Sequence, residues 1–399
     1  MNLLNNIIID SIMKKSLFIL CTLFISVCAF SQPKVHNTSR TKFMMADDIS
    51  NYDVGDCVGG FFVARDANTG ISYIVDILGK KKGRIYLNSG FGSFIPRFFG
   101  GKVATAVLQN GMHVVINTAG EIVKSYPEAV RISPRFVDGI AAVRVVHPQT
   151  GNRMTVYINE SGEQVFTDLT IAGITLTDGD FEVYPLKNGL RKYQDPKTQL
   201  FGYVDSSGNI IIPAQYKKCH NFSDSLAAVS SGENLVEYWG FIDTKGQYVI
   251  RDKFSIEPDD FHEGYAVVTT KDWKKVYVDK TGRAVTSEYD YAARFFNGYA
   301  VVNPGSSTDY KMVILDKSFK IVNKLSVSSV FSVYYNEYNN TIVMDDCVYY
   351  PNGEIKLTIN TSYTCREFVE DIAFFVKEDL SGFFNSKGEV LLRLVRGNF

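Results

Sequence analysis

From residue 52 onward, short runs of alternating apolar and polar positions are interrupted at regular intervals by Asp or Asn, with Gly three residues later. A typical stretch is Trp239-Gly240-Phe241-Ile242-Asp243, the turn Thr244-Lys245-Gly246, and the exit Gln247-Tyr248-Val249-Ile250. Aromatic and β-branched residues flanking such a signal predict a β-hairpin. The turn chemistry explains the spacing. An Asp or Asn side chain accepts backbone N–H groups, and Gly at the fourth position takes the left-handed conformation of a type I turn with a bulge.

The signal recurs from Asp76, Asn117, Asn159, Asp205, Asp243, Asp279, Asp316 and Asn385, with a degenerate copy at Tyr350-Pro351-Asn352-Gly353. The fourth positions are Gly79, Gly120, Gly162, Gly208, Gly246, Gly282, Phe319, Gly353 and Gly388, spaced 34 to 46 residues apart. That period suits a repeated unit of three or four strands. Between hairpins lies a second element, Phe-x-x-Gly-x-Ala-x-Val, clearest at Phe136–Val143, Phe222–Val229, Phe261–Val268 and Phe295–Val302. Looser copies fall at Phe99–Ala106, Leu176–Val183 and Phe368–Phe375. Small Ala on an alternating strand marks a crowded neighbour, and Phe at the preceding turn plugs the gap between units.

These two elements resemble the WG repeat family, whose unit runs roughly Trp-Gly-Tyr-Ile-Asp-x-x-Gly, an apolar strand, Pro, Tyr-Asp, and Phe-x-x-Gly-x-Ala-x-Val. The match is best from Phe201-Gly202-Tyr203-Val204-Asp205 through Pro213 and Tyr216 to Val229, and nearly as good from Trp239. It fades on both sides of residues 200–305, where Lys275-Val276-Tyr277 stands in one copy for the Trp-Gly segment. The resemblance implies a β-repeat array and brings no catalytic residues with it.

The expected fold is therefore all-β: about nine β-hairpin repeats over 52–399, closed or nearly closed like a propeller in preference to an open β-solenoid. The longest interval, 162 to 208, predicts an inserted polar loop at 188–199 and leaves open two subarrays divided near 190. Ahead of the array, residues 13–31 carry two lysines, an apolar run from Leu17 to Phe30, and small Ala29 and Ser31 before Gln32. This is the pattern of a secretory signal peptide, too short for a comfortable membrane span. Residues 1–12 precede the charged region, so translation is expected to start at Met13. A flexible linker is expected over 32–51. The alternative reading of Ile25-Ser26-Val27-Cys28 is a lipidation box, anchoring the protein through Cys28, although Val27 is bulky for that pattern.

Composition narrows the function. The 28 Phe and 23 Tyr against 2 Trp suit pleated surfaces. A net charge of −1 supplies no basic excess for phosphates, so nucleic acid is not an expected partner. Export removes two cysteines and leaves Cys57, Cys219, Cys347 and Cys365, where the disulfide favoured by proximity is Cys347 to Cys365 and isolated thiols are the alternative. The scattered histidines lack a metal-binding spacing, and the turn aspartates are better explained as N–H acceptors than as a calcium row. No catalytic residue, metal or cofactor is assigned. The structural turn residues are Asp205, Gly208, Asp243, Gly246, Asp279 and Gly282. Candidate binding aromatics are Trp239, Trp273, Tyr265, Tyr277 and Tyr299, with core packing as the alternative role. The expected protein is a non-catalytic binding or scaffolding module of the bacterial envelope, periplasmic or extracellular, contacting protein or carbohydrate. A carboxylate-based hydrolase and a purely structural envelope component are the alternatives.

The leader generates the first prediction. Mass spectrometry of the native protein should find an N-terminus at or near Gln32 and no peptide from residues 1–12; a lipid-modified N-terminus at Cys28 would refute cleavage after Ser31.

Overall fold

The turn signals become turns of one design. In the computed structural model, Lys245 N and Gln247 N each donate to Asp243 Oδ1 at 2.9 Å, and Gly246 N donates to Asp243 O at 2.9 Å. Asp76, Asp205, Asp279 and Asp316 accept the same pair of backbone N–H groups, and Asn117, Asn159 and Asn385 do so with their amide oxygens. Gly246 carries φ of 80°, and a Cβ there would lie 3.1 Å from Cγ2 of Ile212 in the preceding unit. The turn thus needs glycine both for its conformation and for a close approach between units.

The structure describes residues 52–395, apart from short segments at 67–68, 89–94, 148, 168–172, 232–236, 306–311, 326–332, 337–339, 345–346, 359–363, 366–369, 378–379, 386 and 388. The leader, Cys28 and the linker over 32–51 lie outside the described residues, as do the side chains of Cys347 and Cys365. All regular elements among the described residues are strands, and no helix there is long and apolar enough to cross a membrane.

Each complete unit is an antiparallel meander whose spatial order follows the chain. Unit 1 comprises Tyr52–Val54, Phe61–Asp66, Ile71–Asp76 and Lys81–Tyr86; unit 7 comprises Tyr291–Ala292, Tyr299–Asn303, Met312–Asp316 and Ile321–Leu325. Units are numbered here by their Asp or Asn turn, from Asp76 in unit 1 to Asn385 in unit 9. The strand Ile210–Cys219 serves two units: Ile212 pairs with Tyr203 of unit 4, and Cys219 pairs with Val229 of unit 5. Glycine of the Phe-Gly and Trp-Gly dipeptides has a separate cause. A Cβ on Gly202 would sit 2.4 Å from Ile212 O, and one on Gly240 would sit 2.3 Å from Ile250 O, at irregularities in the ladders where the outer strand bends inward.

Neighbouring units share their cores. Phe222 packs on Tyr203 of the preceding unit with ring centroids 4.7 Å apart, Phe261 on Phe241 at 4.7 Å, and Phe295 on Tyr277 at 5.2 Å. The alanines five residues after each Phe, Ala227, Ala266 and Ala300, are buried and make room for these rings. A two-residue turn follows each Phe, with both residues at positive φ, as in Glu263 at 52° and Gly264 at 96°. Its acidic residue reaches the equivalent turn of the next unit: Gly264 N donates to Asp224 Oδ2 at 2.5 Å, and Gly298 N to Glu263 Oε2 at 2.9 Å.

A related contact joins the two ends of the chain, with the donor one position earlier in its turn than Gly264 and Gly298. Gly59 N in unit 1 donates to Glu370 of unit 9 at 3.2 Å (Oε2) and 3.3 Å (Oε1), and Phe62 packs on Phe383 with centroids 4.6 Å apart. First and last units are therefore in contact, and the array is propeller-like rather than an open solenoid. At this closing seam Cys57 stands where other units carry Phe, and Phe62 stands where they carry Ala; the pair exchanges bulk and keeps the joint filled. Burial pushes the Cys57 thiol up to about 12, as expected of a packing residue.

Two sequence expectations change. The additional length between 162 and 208 is not a polar loop at 188–199: Asn188-Gly189 is a tight turn, and Leu190–Gln194 and Phe201–Val204 are paired strands. It is a hairpin around Asp178, whose Oδ1 accepts from Asp180 N at 3.0 Å and Glu182 N at 2.9 Å, with Thr177 bridging Val183. Leu176–Val183 is thus a further Asp turn, not a looser Phe-x-x-Gly copy. Phe181 holds the position of the turn glycine at φ of 66° because its buried ring packs beneath Arg131 and Arg144. Side chains on both sides of residue 190 share one core, in which Phe166 and Val183 meet Tyr193 and Val204.

Gly246→Val forces a β-branched residue into the left-handed region and against Ile212, at a cost on the order of 1–3 kcal/mol. Limited proteolysis should then cut near residues 240–260 before the rest of the chain, with a lowered melting temperature. Ser206→Val, at an exposed turn position, should leave both unchanged; the opposite pattern would contradict the turn assignment.

Candidate functional site

The five aromatic candidates do not gather. Trp239 and Tyr277 are core residues, 3% and 0% exposed, so neither is a surface anchor. Trp239 packs edge-on against His220, with centroids 5.3 Å apart, and the Tyr277 hydroxyl donates to Ala293 O at 2.6 Å. Tyr265 and Tyr299 are half-buried at the starts of their strands, Tyr265 against Phe295 and Phe319. Trp273 alone is open to solvent, 74% exposed at the tip of a loop between two strands of unit 6. The aromatic repeats therefore pack the seams, and the surface chemistry lies elsewhere.

It lies one residue before each seam Phe. Successive side chains on an extended segment point to opposite sides, so if Phe enters the seam its predecessor faces away from it. That position is filled by Arg97, Arg135, Asn221, Asp260 and Arg294, and by Asp56 ahead of Cys57; in unit 2 the buried seam residue is Phe98, where the sequence pattern placed Phe99. The outer strands expose their side chains to solvent, as at Ile122, Ile210 and Ile321. Non-strand segments of units 1 to 3 and the Asp178 hairpin instead border one shared space.

Units 1 to 4 border a half-open cavity of about 350 Å³ lined by Gly55, Asp56, Ile95, Arg97, Pro134, Arg135 and Glu182. Two ion pairs span it. Arg97 Nη2 lies 2.7 Å from Asp56 Oδ2, and Arg135 grips Glu182 Oε1 through both Nε and Nη2. Glu182 comes from the hairpin around Asp178, which gives that insertion a place in the site. The guanidinium side chains are 43% and 45% exposed, the carboxylates 21% and 24%. Asp56, Arg97 and Arg135 differ in sign from copy to copy, which hides them among the repeats; their sequence signal is a polar or charged residue ahead of each seam Phe or Cys57, and Glu182 carries no such signal.

A second polar joint lies between units 5 and 6. His220 Nδ1 is 2.8 Å from Asp260 Oδ1, and its Nε2 is 2.8 Å from Glu257 Oε1. A neutral imidazole can donate from only one nitrogen, so two ionised carboxylates at these distances call for the imidazolium. Burial alone would lower the His220 pKa, but the hydrogen bond and charge of Asp260, and then of Glu257, outweigh it and the net shift is upward. Next to this joint, burial holds the Asp259 carboxyl above its ordinary range against the opposing pull of Lys275. In the same joint the Ser223 hydroxyl donates to Phe261 O at 2.6 Å, and one joint further on Arg294 Nη1 lies 3.0 Å from His262 Nδ1. Among the described residues no group of three His, Cys, Asp or Glu side chains is placed to hold a metal ion.

Residues 201–234, 239–272 and 277–303 match the WG containing repeat family, three consecutive matches that fall within units 4 to 7. No curated protein matches the chain. Among solved structures, the chain is similar to a eukaryotic initiation factor at 12% identity, covering 86% of this chain and 87% of that one, with a TM-score of 0.39. The computationally designed Ika8 protein matches at 13% identity over 80% of this chain and 99% of its own, with a TM-score of 0.37. The C-terminal WD40 domain of Sif2 matches at 11% identity over 76% and 94%, with a TM-score of 0.35.

The His220 joint predicts a pH dependence of defined sign. A folded-state pKa raised above the unfolded value of about 6.5 means that the contribution is complete below that pH and is lost as pH rises through the folded value. The melting temperature should therefore fall as the solution is taken from pH 6 upward through this range. His220→Gln, which cannot carry the charge opposite Asp260, Glu257 and Asp259, should melt lower at pH 6 and show a flatter profile; identical profiles for the two proteins would overturn the assignment.

Proposed function

We propose that this chain is an exported, non-catalytic binding protein of the bacterial envelope, with its ligand site in the cavity bordered by units 1 to 4. The observation that carries the reading is the convergence there of four consecutive units, each supplying polar or charged residues to one concave space. Such a space at a junction between repeated elements is where ligands are generally held. Its volume is at the small end of ligand pockets, which span about 300–1,000 Å³.

The roles of the other polar groups support a scaffold. Turn carboxylates accept backbone N–H groups, acidic residues of the two-residue turns cap neighbouring glycines, and His220 joins two units. These interactions hold one rigid frame and leave the cavity as the place where side chains differ from unit to unit. The exported location rests on the leader at 13–31, and the repeat identity on the WG match at 201–303.

The test uses the mature chain from Gln32 to Phe399 against fractionated envelope extracts in an equilibrium binding assay. One fraction should bind saturably, and an Arg97→Ala/Arg135→Ala double variant should lose that binding. Partly exposed ion pairs contribute only about 0–1 kcal/mol each, so its melting temperature should change little. Absence of any saturable partner, or full binding by the double variant, would overturn the proposal.

A further inference from the structure

We infer that the ligand of this cavity is a neutral carbohydrate, recognised through vicinal hydroxyl groups by the Asp56–Arg97 and Arg135–Glu182 pairs. This rests on the binding reading above and names the class of ligand. Two guanidinium groups and two carboxylates line the space, so it carries no net charge among its lining residues. A polyanion would have to compete with Asp56 and Glu182 for both arginines, and a polycation would meet two guanidiniums.

Hydrogen-bonding capacity gives the positive selection. A guanidinium holds five N–H donors in a fixed fork, and a carboxylate offers about four lone-pair sites. Arg97 uses Nη2 on Asp56, and Arg135 uses Nε and Nη2 on Glu182; both half-exposed side chains line the cavity. Each pair therefore sets donors directly beside acceptors. A hydroxyl is donor and acceptor at once, and two on adjacent carbons can engage a guanidinium N–H and a carboxylate oxygen together. Two such pairs in one cavity match the repeated hydroxyls of a sugar ring.

The remaining wall suits the rest of the ring. Ile95 and Pro134 present apolar surface to C–H groups, and Gly55 brings backbone to the wall where a Cβ would lie 2.5 Å from Ile95 Cγ2. The Gly55 amide is already bonded to Val63 O at 2.9 Å, so a ligand leaves no peptide donor unsatisfied there. A volume of about 350 Å³ limits the buried part to a short segment of a glycan, with any longer chain continuing into solvent.

The experiment titrates the mature chain, by calorimetry, with a panel of neutral oligosaccharides, the same oligosaccharides after periodate cleavage of their vicinal diols, and inorganic phosphate. At least one intact oligosaccharide should bind saturably, its cleaved form should not, and phosphate should neither bind nor compete. Arg97→Ala and Arg135→Ala should each weaken binding about tenfold or more, as expected for loss of charge-assisted hydrogen bonds. Arg251→Ala, on an outer strand of unit 5, should bind as the parent does. If no oligosaccharide binds while an envelope fraction still binds through Arg97 and Arg135, the ligand class is wrong and the binding site stands. If binding survives diol cleavage, recognition through vicinal hydroxyls is wrong. If an oligosaccharide binds equally well to both arginine variants, the cavity is not its site and the binding reading falls as well.

Discussion

Everything in this protein depends on the seam between neighbouring units. A single meander of three or four short strands has one apolar face more than it can bury, and only another copy can cover it. The seam is built from three kinds of contact. A Phe from one unit packs on the aromatic residue of its neighbour, a turn glycine rests on the neighbour's outer strand, and an acidic side chain caps the neighbour's glycine N–H. Each contact is short-ranged and repeats with the unit, so the register of one seam sets the next.

Closure follows from the same chemistry. Glu370 caps Gly59, one turn position earlier than Glu263 caps Gly298, and Phe62 against Phe383 replaces the Phe and aromatic pairing of other seams. The exchange of bulk between Cys57 and Phe62 shows that the joint tolerates different side chains if its volume is conserved. With both ends covered, no unit needs a polar cap. The residue before each Phe varies from unit to unit, from Arg97 and Arg135 at the cavity to Asp260, which joins units 5 and 6 through His220.

Much of this was legible in the sequence, because turns and seams rest on local or strictly periodic chemistry. The Asp or Asn turn is fixed by side-chain acceptors two and four residues away, and Gly246 by its own backbone angle. The Phe and Ala positions were legible because the alternation of a strand carries them to one face. The inserted hairpin was misplaced because Phe181 occupies the glycine position of its turn, stabilised by Arg131 and Arg144 from another part of the chain.

By itself, then, the sequence determined the all-β unit, its turns, its period and the residues that plug its seams, since these need only neighbours along the chain or one copy away. Tertiary structure alone decided that the ends meet, that Trp239 and Tyr277 are core while Trp273 is not, and that Asp56, Arg97, Arg135 and Glu182 share a cavity. The physical reason is distance along the chain. Arg97 and Asp56 are 41 residues apart, Arg135 and Glu182 are 47 apart, and Gly59 and Glu370 are 311 apart. No local propensity couples residues at those separations; the curvature accumulated over successive seams does.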